Sequence, residues 1–314
     1  MVGNDRKSKI INIIVSGLFL LFLGINIFLI FDIYKKYSNE TDNNKLLNEE
    51  LSFLNSTFDK KTIDNNELKK EIEELNNIDN NIAESKKELF KLASELEKKI
   101  INKETDKKIA YLTFDDGPYY TTHKFLDVLS KYKVKATFFT IGLDKEKCFD
   151  DRSKGCHELY KKIVDNGHTI ANHSYSHLIF NGLYSSTNSL ISQVKKQENF
   201  IKEKTNVTTN IFRFPGGSGS AKSYGVYNSA VSELRKMNYG WVDWTAQDGD
   251  GGSVPNTTVA FKNLKNSINE DIEVVLFHDY SYVTLSILPQ VIEYLQNNNY
   301  VILPLFYESV KVNK

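Results

Sequence analysis

From Lys107 onward, short apolar runs of strand character alternate with longer runs of helical character, and this alternation restricts the fold more than any other feature of the chain. Strand candidates are Ile109–Phe114, Lys135–Ile141, Thr169–His173, Ile211–Phe214, Tyr239–Thr245, Glu273–Phe277 and Tyr300–Phe306. Helix candidates surround Phe125–Leu129, Leu159–Val164, Leu190–Lys204, Val231–Met237, Val259–Ile268 and Ser286–Gln296. Strands separated by helices pair in parallel through crossover connections, because a parallel pair needs a long return path. Residues 107–314 therefore read as one α/β barrel-like domain, whose chemistry is expected at the C-terminal ends of the strands.

The residues before Lys107 have a different character. Ile10 to Phe31 carries no charge; as a helix at about 1.5 Å per residue it would measure ~33 Å, enough to cross a bilayer core. It runs directly into Asp32-Ile33-Tyr34-Lys35-Lys36 with no small-residue cleavage site, so it reads as an uncleaved anchor. Arg6, Lys7 and Lys9 on one side balance Lys35, Lys36 and Lys45 on the other, so the charges do not set its orientation. Residues 38–106 contain no Pro or Gly, and Leu68, Leu75, Ile82, Leu89 and Leu96 recur every seventh position. The companion positions Ile72, Asp79, Lys86, Ala93 and Ile100 are mixed. A dimeric coiled-coil stalk and a single spacer helix both fit this pattern. The whole chain balances 40 basic against 40 acidic residues, which argues against a nucleic-acid partner.

The chemistry-bearing residues cluster after the strand candidates. Thr113-Phe114-Asp115-Asp116-Gly117-Pro118 ends the first strand with adjacent carboxylates; by itself it is a turn signal. His173 and His177 form an i, i+4 pair of the kind that binds zinc-like metals, and Asp116 added to them leaves coordination open for water. Arg213-Phe214-Pro215-Gly216-Gly217-Ser218 delivers a guanidinium and then a glycine pair whose amides can approach an oxyanion. Trp241-Val242-Asp243-Trp244 continues to Asp248-Gly249-Asp250, and Leu276-Phe277-His278-Asp279 closes a later strand.

Taken together, these motifs resemble the polysaccharide deacetylases of the NodB-homology type, a family of metal-dependent carbohydrate esterases, over roughly Lys107 to Phe306. The resemblance implies a distorted (β/α) barrel. It implies Asp115 as general base, and Asp116, His173 and His177 as ligands of one divalent metal, with zinc expected and cobalt, nickel or manganese as alternatives. Arg213 would orient Asp115. Gly216 stands where the family often has tyrosine, and its backbone N–H would serve the oxyanion. Trp244 and Asp250 best fit the loose fourth motif, with Trp241 and Asp243 as alternatives; Leu276 would wall the acetyl pocket and His278 would be the general acid.

The implied reaction is hydrolysis of N-acetyl groups on a cell-wall polysaccharide, most simply peptidoglycan N-acetylglucosamine. N-acetylmuramic acid, chitin-like and O-acetylated surface polymers are alternative substrates, and a non-catalytic stalked polysaccharide-binding protein is the alternative role. The expected organisation is a cytoplasmic tail and single-pass anchor (1–34), a helical stalk that could pair two copies (35–106) and an extracytoplasmic catalytic domain (107–314). Cys148 and Cys156 lie in a charged insertion; a disulfide suits an oxidising compartment, with free thiols or a metal role beside His157 as alternatives.

Overall fold

The computed structural model describes residues 65–142, 157–254 and 256–314. The expected anchor Ile10–Phe31 and the cysteines Cys148 and Cys156 lie outside them; among the described residues no helix is long and apolar enough to cross a membrane. Contacts divide the chain after Glu74, and the fold below is that of the second unit, Leu75–Lys314.

Helix α1 (Asn65–Ile101) leads into β1 (Lys108–Asp115), α2 (Thr122–Lys131), β2 (Thr137–Thr140), α3 (His157–Asp165), β3 (Thr169–Asn172), α4 (Thr187–Thr205) and β4 (Ile211–Phe212). Then come α5 (Gly217–Ser223), α6 (Tyr227–Lys236), β5 (Gly240–Trp241), β6 (Ala246–Gln247), α7 (Thr257–Ser267), β7 (Ile272–His278), α8 (Tyr282–Asn297) and β8 (Tyr300–Leu303). Every strand pairing is parallel. The order is β5-β4-β3-β2-β1-β7-β6, with β8 on β1. Among the described residues β5 and β6 do not pair, so the curled sheet is an open half-barrel.

β1 organises the sheet. One edge takes β7 from Ile109↔Ile272 to Asp115↔His278. The other is divided: Lys108–Tyr111 pair with β8, and Thr113–Asp115 with β2. Side chains alternate across a strand, so Ile109 and Tyr111 face the barrel interior while Ala110, Leu112 and Phe114 face the helices. The outward face packs with α2, α3, α7 and α8. The interior cluster joins Ile109 and Tyr111 to Phe139, Ala171, Ile211, Val242, Ile272, Val274 and Leu303. A third cluster beneath α4, α5 and α6 holds Phe212, Phe214, Tyr239 and Trp241.

The described structure departs from the sequence expectations at three places. The expected strand Tyr239–Thr245 is only Gly240–Trp241, followed by a separate β6. Between the two, the carbonyls of Val242 and Asp243 turn to the Arg213 guanidinium rather than to a neighbouring strand. Helix α5 forms from Gly-Ser-Gly-Ser-Ala-Lys-Ser, a composition too poor in helix formers to signal one. Finally, the seam positions Leu89, Ala93, Leu96 and Ile100 of α1 pack into the barrel's interior cluster; in that stretch the apolar stripe is taken up by the domain and is not a face for a second helix.

Glu97 pins α1 in place. It is buried, and its Oε1 accepts from the Tyr111 hydroxyl at 2.7 Å and from the Val310 N–H at 3.1 Å. Burial, only partly offset by these bonds, raises its pKa above the usual 4.5. A carboxyl whose folded pKa is raised favours the fold while protonated and loses that contribution as pH rises through the folded value. Glu97→Gln keeps an acceptor without the charge. Its melting temperature relative to the unaltered protein is therefore expected to climb as pH is raised above 4.5. A difference that is flat or falls with pH in thermal unfolding counts against this account.

Candidate active site

Asp115 ends β1, and the parallel register sets it beside His278, the last residue of β7. Asp116 follows in the left-handed region at φ 71°, which turns its carboxylate back to the barrel mouth. Gly117 leaves no room for a side chain: a Cβ there would lie 2.0 Å from Oδ2 of Asp279. At the end of β3, Asn172 accepts from the Ser174 N–H at 2.9 Å and donates to the Val194 carbonyl at 2.9 Å. Ser174 and His177 both have positive φ, 66° and 54°. This constrained loop faces both imidazoles toward Asp116. Non-glycine residues in that region are strained, and such strain gathers at functional sites.

His177 Nε2 lies 3.2 Å and His173 Nε2 3.5 Å from Asp116 Oδ1. One ligand atom from each of the three residues falls within 4.8 Å of the others. His173 Nδ1 is 2.8 Å from the Arg213 carbonyl; a carbonyl only accepts, so the proton is on Nδ1 and the Nε2 lone pair faces the cluster. Burial, reinforced by the neighbouring His177 ring, holds His173 well below its usual pKa and therefore neutral. Asp116 Oδ1 is buried without a hydrogen-bond partner. A carboxylate oxygen with no donor facing imidazole lone pairs is the donor set a divalent cation requires, so the residues fit a metal with open coordination.

Arg213, which follows β4, is completely buried. Its Nη1 donates to Asp115 Oδ1 at 2.8 Å and to Thr113 Oγ1 at 2.8 Å. Nε and Nη2 each donate at 3.1 Å, to the carbonyls of Val242 and Asp243. The guanidinium carbon lies 4.1 Å from the Phe139 ring centroid. Burial nevertheless lifts Asp115 to a pKa of about 6, against the opposing charge of Arg213. Oδ1 of Asp115 is held by the arginine, while Oδ2 faces His173 Nε2 at 3.6 Å.

His278 lies across the cluster, its Nε2 3.9 Å from Asp116 Oδ2. Its Nδ1–H donates to Asp250 Oδ1 at 2.7 Å, and its backbone N–H to Asp250 Oδ2 at 2.8 Å. Burial alone would lower its pKa. The Asp250 hydrogen bond and charge, with Asp116 and Asp115, outweigh that and raise it to about 9. The Thr284 hydroxyl lies 2.6 Å from Asp250 Oδ2 and 2.8 Å from Asp248 Oδ2. Burial and the Asp250 charge push Asp248 up to about 7.

Gly216 is exposed at the mouth at φ 69°. Leu276 is buried on the interior face of β7, in register with Thr113. Trp244 is half-buried against Gly217, while Trp241 is a core residue bridged to Asn313. Of the acids left open by the fourth motif, Asp250 meets His278 and Asp243 meets Ser218. Sequence reading assigned nothing to Thr113, Thr284 or Asp279. Asp279 is buried beneath Gly117, accepts from the Thr122 hydroxyl and is raised by burial to a pKa of about 7. Its only sequence signal was its place after His278.

A family model described as polysaccharide deacetylase matches residues 102–239. A peptidoglycan-N-acetylglucosamine deacetylase of Bacillus cereus is 29% identical over 68% of this chain and 77% of its own length. A second from the same organism is 33% identical over 55% of this chain and 74% of its own. The solved catalytic domain of peptidoglycan N-acetylglucosamine deacetylase from Eubacterium rectale is 32% identical with a TM-score of 0.60, over 66% of this chain and 93% of that one.

Purified protein is expected to bind about one equivalent of divalent cation by elemental analysis, lost in His177→Ala and kept in Asp115→Asn. Stoichiometric metal in His177→Ala would remove that residue from the ligand set.

Proposed function

The chain belongs to the polysaccharide deacetylase family, and on that premise we propose that it hydrolyses N-acetyl groups of a cell-wall polysaccharide, with N-acetylglucosamine of peptidoglycan as substrate and acetate as product. The observation that carries the reading is the opposition of two differently tuned groups across one cluster. Asp115 is held by Arg213, His278 is held by Asp250, and Asp116, His173 and His177 lie between them. The peptidoglycan assignment draws on what the similar proteins are called.

Asp115 accepts the proton of the attacking water at Oδ2, because Oδ1 is engaged by Arg213. The water oxygen bonds to the acetyl carbon, and the Gly216 N–H donates to the oxyanion that develops. His278, protonated on both nitrogens, gives its Nε2 proton to the sugar nitrogen as the C–N bond breaks; the amine and acetate leave. A divalent cation on Asp116, His173 and His177, taken as zinc, supplies Lewis-acid polarisation when bound. Leu276 bounds the acetyl methyl, and Trp244 lines the mouth beside Gly217.

The surroundings suit a polymer. Phe180 stands three residues after His177 with 90% of its surface exposed, and Leu178 is half-exposed beside it. A large apolar ring so close to a hydrolytic centre suits stacking on a sugar face. The uncharged run Ile10–Phe31 supports an anchor, and a cell-wall substrate requires the domain to lie outside the membrane, within reach of the wall.

Acetate release from purified peptidoglycan and from N-acetylglucosamine oligomers tests the reading. It should cease with chelator, and Asp115→Asn and His278→Ala should each lose about 10²- to 10⁴-fold. Phe180→Ala should raise KM on long oligomers and leave the shortest substrate unchanged. Acetate release unaffected by chelator or by Asp115→Asn would end the assignment.

The pH profile carries a separate expectation. His278 acts while protonated, so its pKa sets the alkaline limb. In Asp250→Asn the supporting charge is lost and burial, which favours the neutral ring, prevails. The alkaline limb should then move to lower pH; an unmoved limb would separate Asp250 from the acid's tuning.

A further inference from the structure

We propose that Asp243 is a positioning residue for the reaction: its carboxylate clamps the Gly216–Gly217–Ser218 turn so that the Gly216 amide is fixed toward the developing oxyanion. The inference rests on the deacetylase reading above and assigns a role to an acid outside the base, acid and metal sets.

The turn gains from a clamp because two of its three residues are glycines. Gly216 and Gly217 are consecutive and both left-handed, at φ 69° and 80°. Glycines lose more backbone freedom on ordering than any other residue. No ring or branched side chain at position 216 fills the mouth. A Cβ there would meet Ser220 Oγ at 2.6 Å and Ile179 Cδ1 at 3.2 Å.

Asp243 adds a side-chain constraint to the bonds that already hold the turn, from the Gly217 N–H to the Phe214 carbonyl at 2.7 Å and from the Ser220 hydroxyl to the Gly216 carbonyl at 2.8 Å. Its Oδ1 accepts from the Ser218 N–H at 2.9 Å, and its Oδ2 accepts from the Ser218 hydroxyl. Both carboxylate oxygens therefore fall on one residue, two positions beyond the amide that matters. Gly217 is pressed into the same corner: a Cβ there would lie 3.0 Å from Trp244 Cη2 and 3.6 Å from Asp243 Oδ1. The main chain of Asp243 is fixed in turn, because its carbonyl accepts from Arg213 Nη2 at 3.1 Å. Arg213 also holds Asp115. The base and the oxyanion donor are thereby referred to one rigid frame, and their separation follows from Arg213 and Asp243 and not from a flexible loop.

Oxyanion stabilisation has a kinetic signature that distinguishes it from base or acid function. The oxyanion forms on esters and amides alike, whereas proton delivery to the leaving group matters most for amides. Asp243→Ala should lower kcat by about 10²-fold, the loss seen when one oxyanion donor is removed. The factor should be similar on an N-acetylated oligosaccharide and on an acetate ester, with KM, bound metal and both limbs of the pH profile unmoved. Asp243→Asn, which keeps an acceptor for the Ser218 N–H, should recover most of the lost rate. Ser218→Ala, which removes one of the two bonds, should lose several-fold.

Wild-type kcat in Asp243→Ala overturns the proposal. So does a loss confined to the amide substrate, or a displaced acid limb, which would place the effect on Asp115 through Arg213. If Asp243→Ala fails to fold, Ser218→Ala decides: a several-fold loss of kcat shared by amide and ester supports the clamp, and a wild-type kcat or a loss confined to the amide overturns it. Unaltered protein that releases no acetate from either substrate brings down the deacetylase reading as well. An active unaltered protein with insensitive variants brings down only the clamp.

Discussion

A fully buried guanidinium is the constraint on which the rest of the site depends. Burying a charge is unfavourable unless its donors find partners, and four of the five N–H groups of Arg213 are met by Asp115, Thr113 and the carbonyls of Val242 and Asp243. Each partner is thereby committed. Thr113 spends its own hydroxyl proton on the Val275 carbonyl and so must accept from the arginine. After β5 the carbonyls of Val242 and Asp243 are taken by the guanidinium, while the Val242 N–H still meets the Phe212 carbonyl of β4 at 3.0 Å. Asp115 is restricted to one rotamer with one oxygen occupied. Removing either member of such a buried pair leaves the other uncompensated, at a cost of about 3–5 kcal/mol.

Two histidines that look alike in sequence are driven to opposite states by what surrounds them. His173 is buried against a carbonyl and beside other cationic groups, and stays neutral with its lone pair presented. His278 has a carboxylate on Nδ1 and keeps its proton to about pH 9. Groups whose environments push their pKa values apart are the usual basis for dividing acid, base and ligand duties. The division depends on partners that are distant in sequence: Arg213 for one ring, Asp250 for the other.

Much of the arrangement was legible because its chemistry is written in short strings at strand ends. Asp115-Asp116, the His173/His177 pair and Leu276-Phe277-His278 each announce a residue type and a position together. The alternation after Lys107 was enough to imply parallel strands. What was not legible depends on long-range contact. The sequence favours Asp250 over Asp243 for the fourth motif and says nothing of Asp248; only folding sends Asp243 to Ser218, Asp248 to Thr284 and Asp250 to His278. β6 has two residues, too few for a period to appear. The heptad of α1 reads as a seam between helices, and an apolar stripe does not say what will cover it. From Leu89 on, the cover is the barrel interior.

The pairing of β1 with β8, and of Glu97 with Val310, means that the first and last segments of this unit are laid against each other. The last interior positions, Leu303, Leu305 and Val312, join a core begun by Ala93 and Leu96. Contacts so far apart in sequence make closure slow relative to local structure. They also mean that a nascent chain lacking its final dozen or so residues has no complete interior. Loss of Val312 and Asn313 would open that interior from its far end, removing a buried side chain together with the backbone bridge to Trp241.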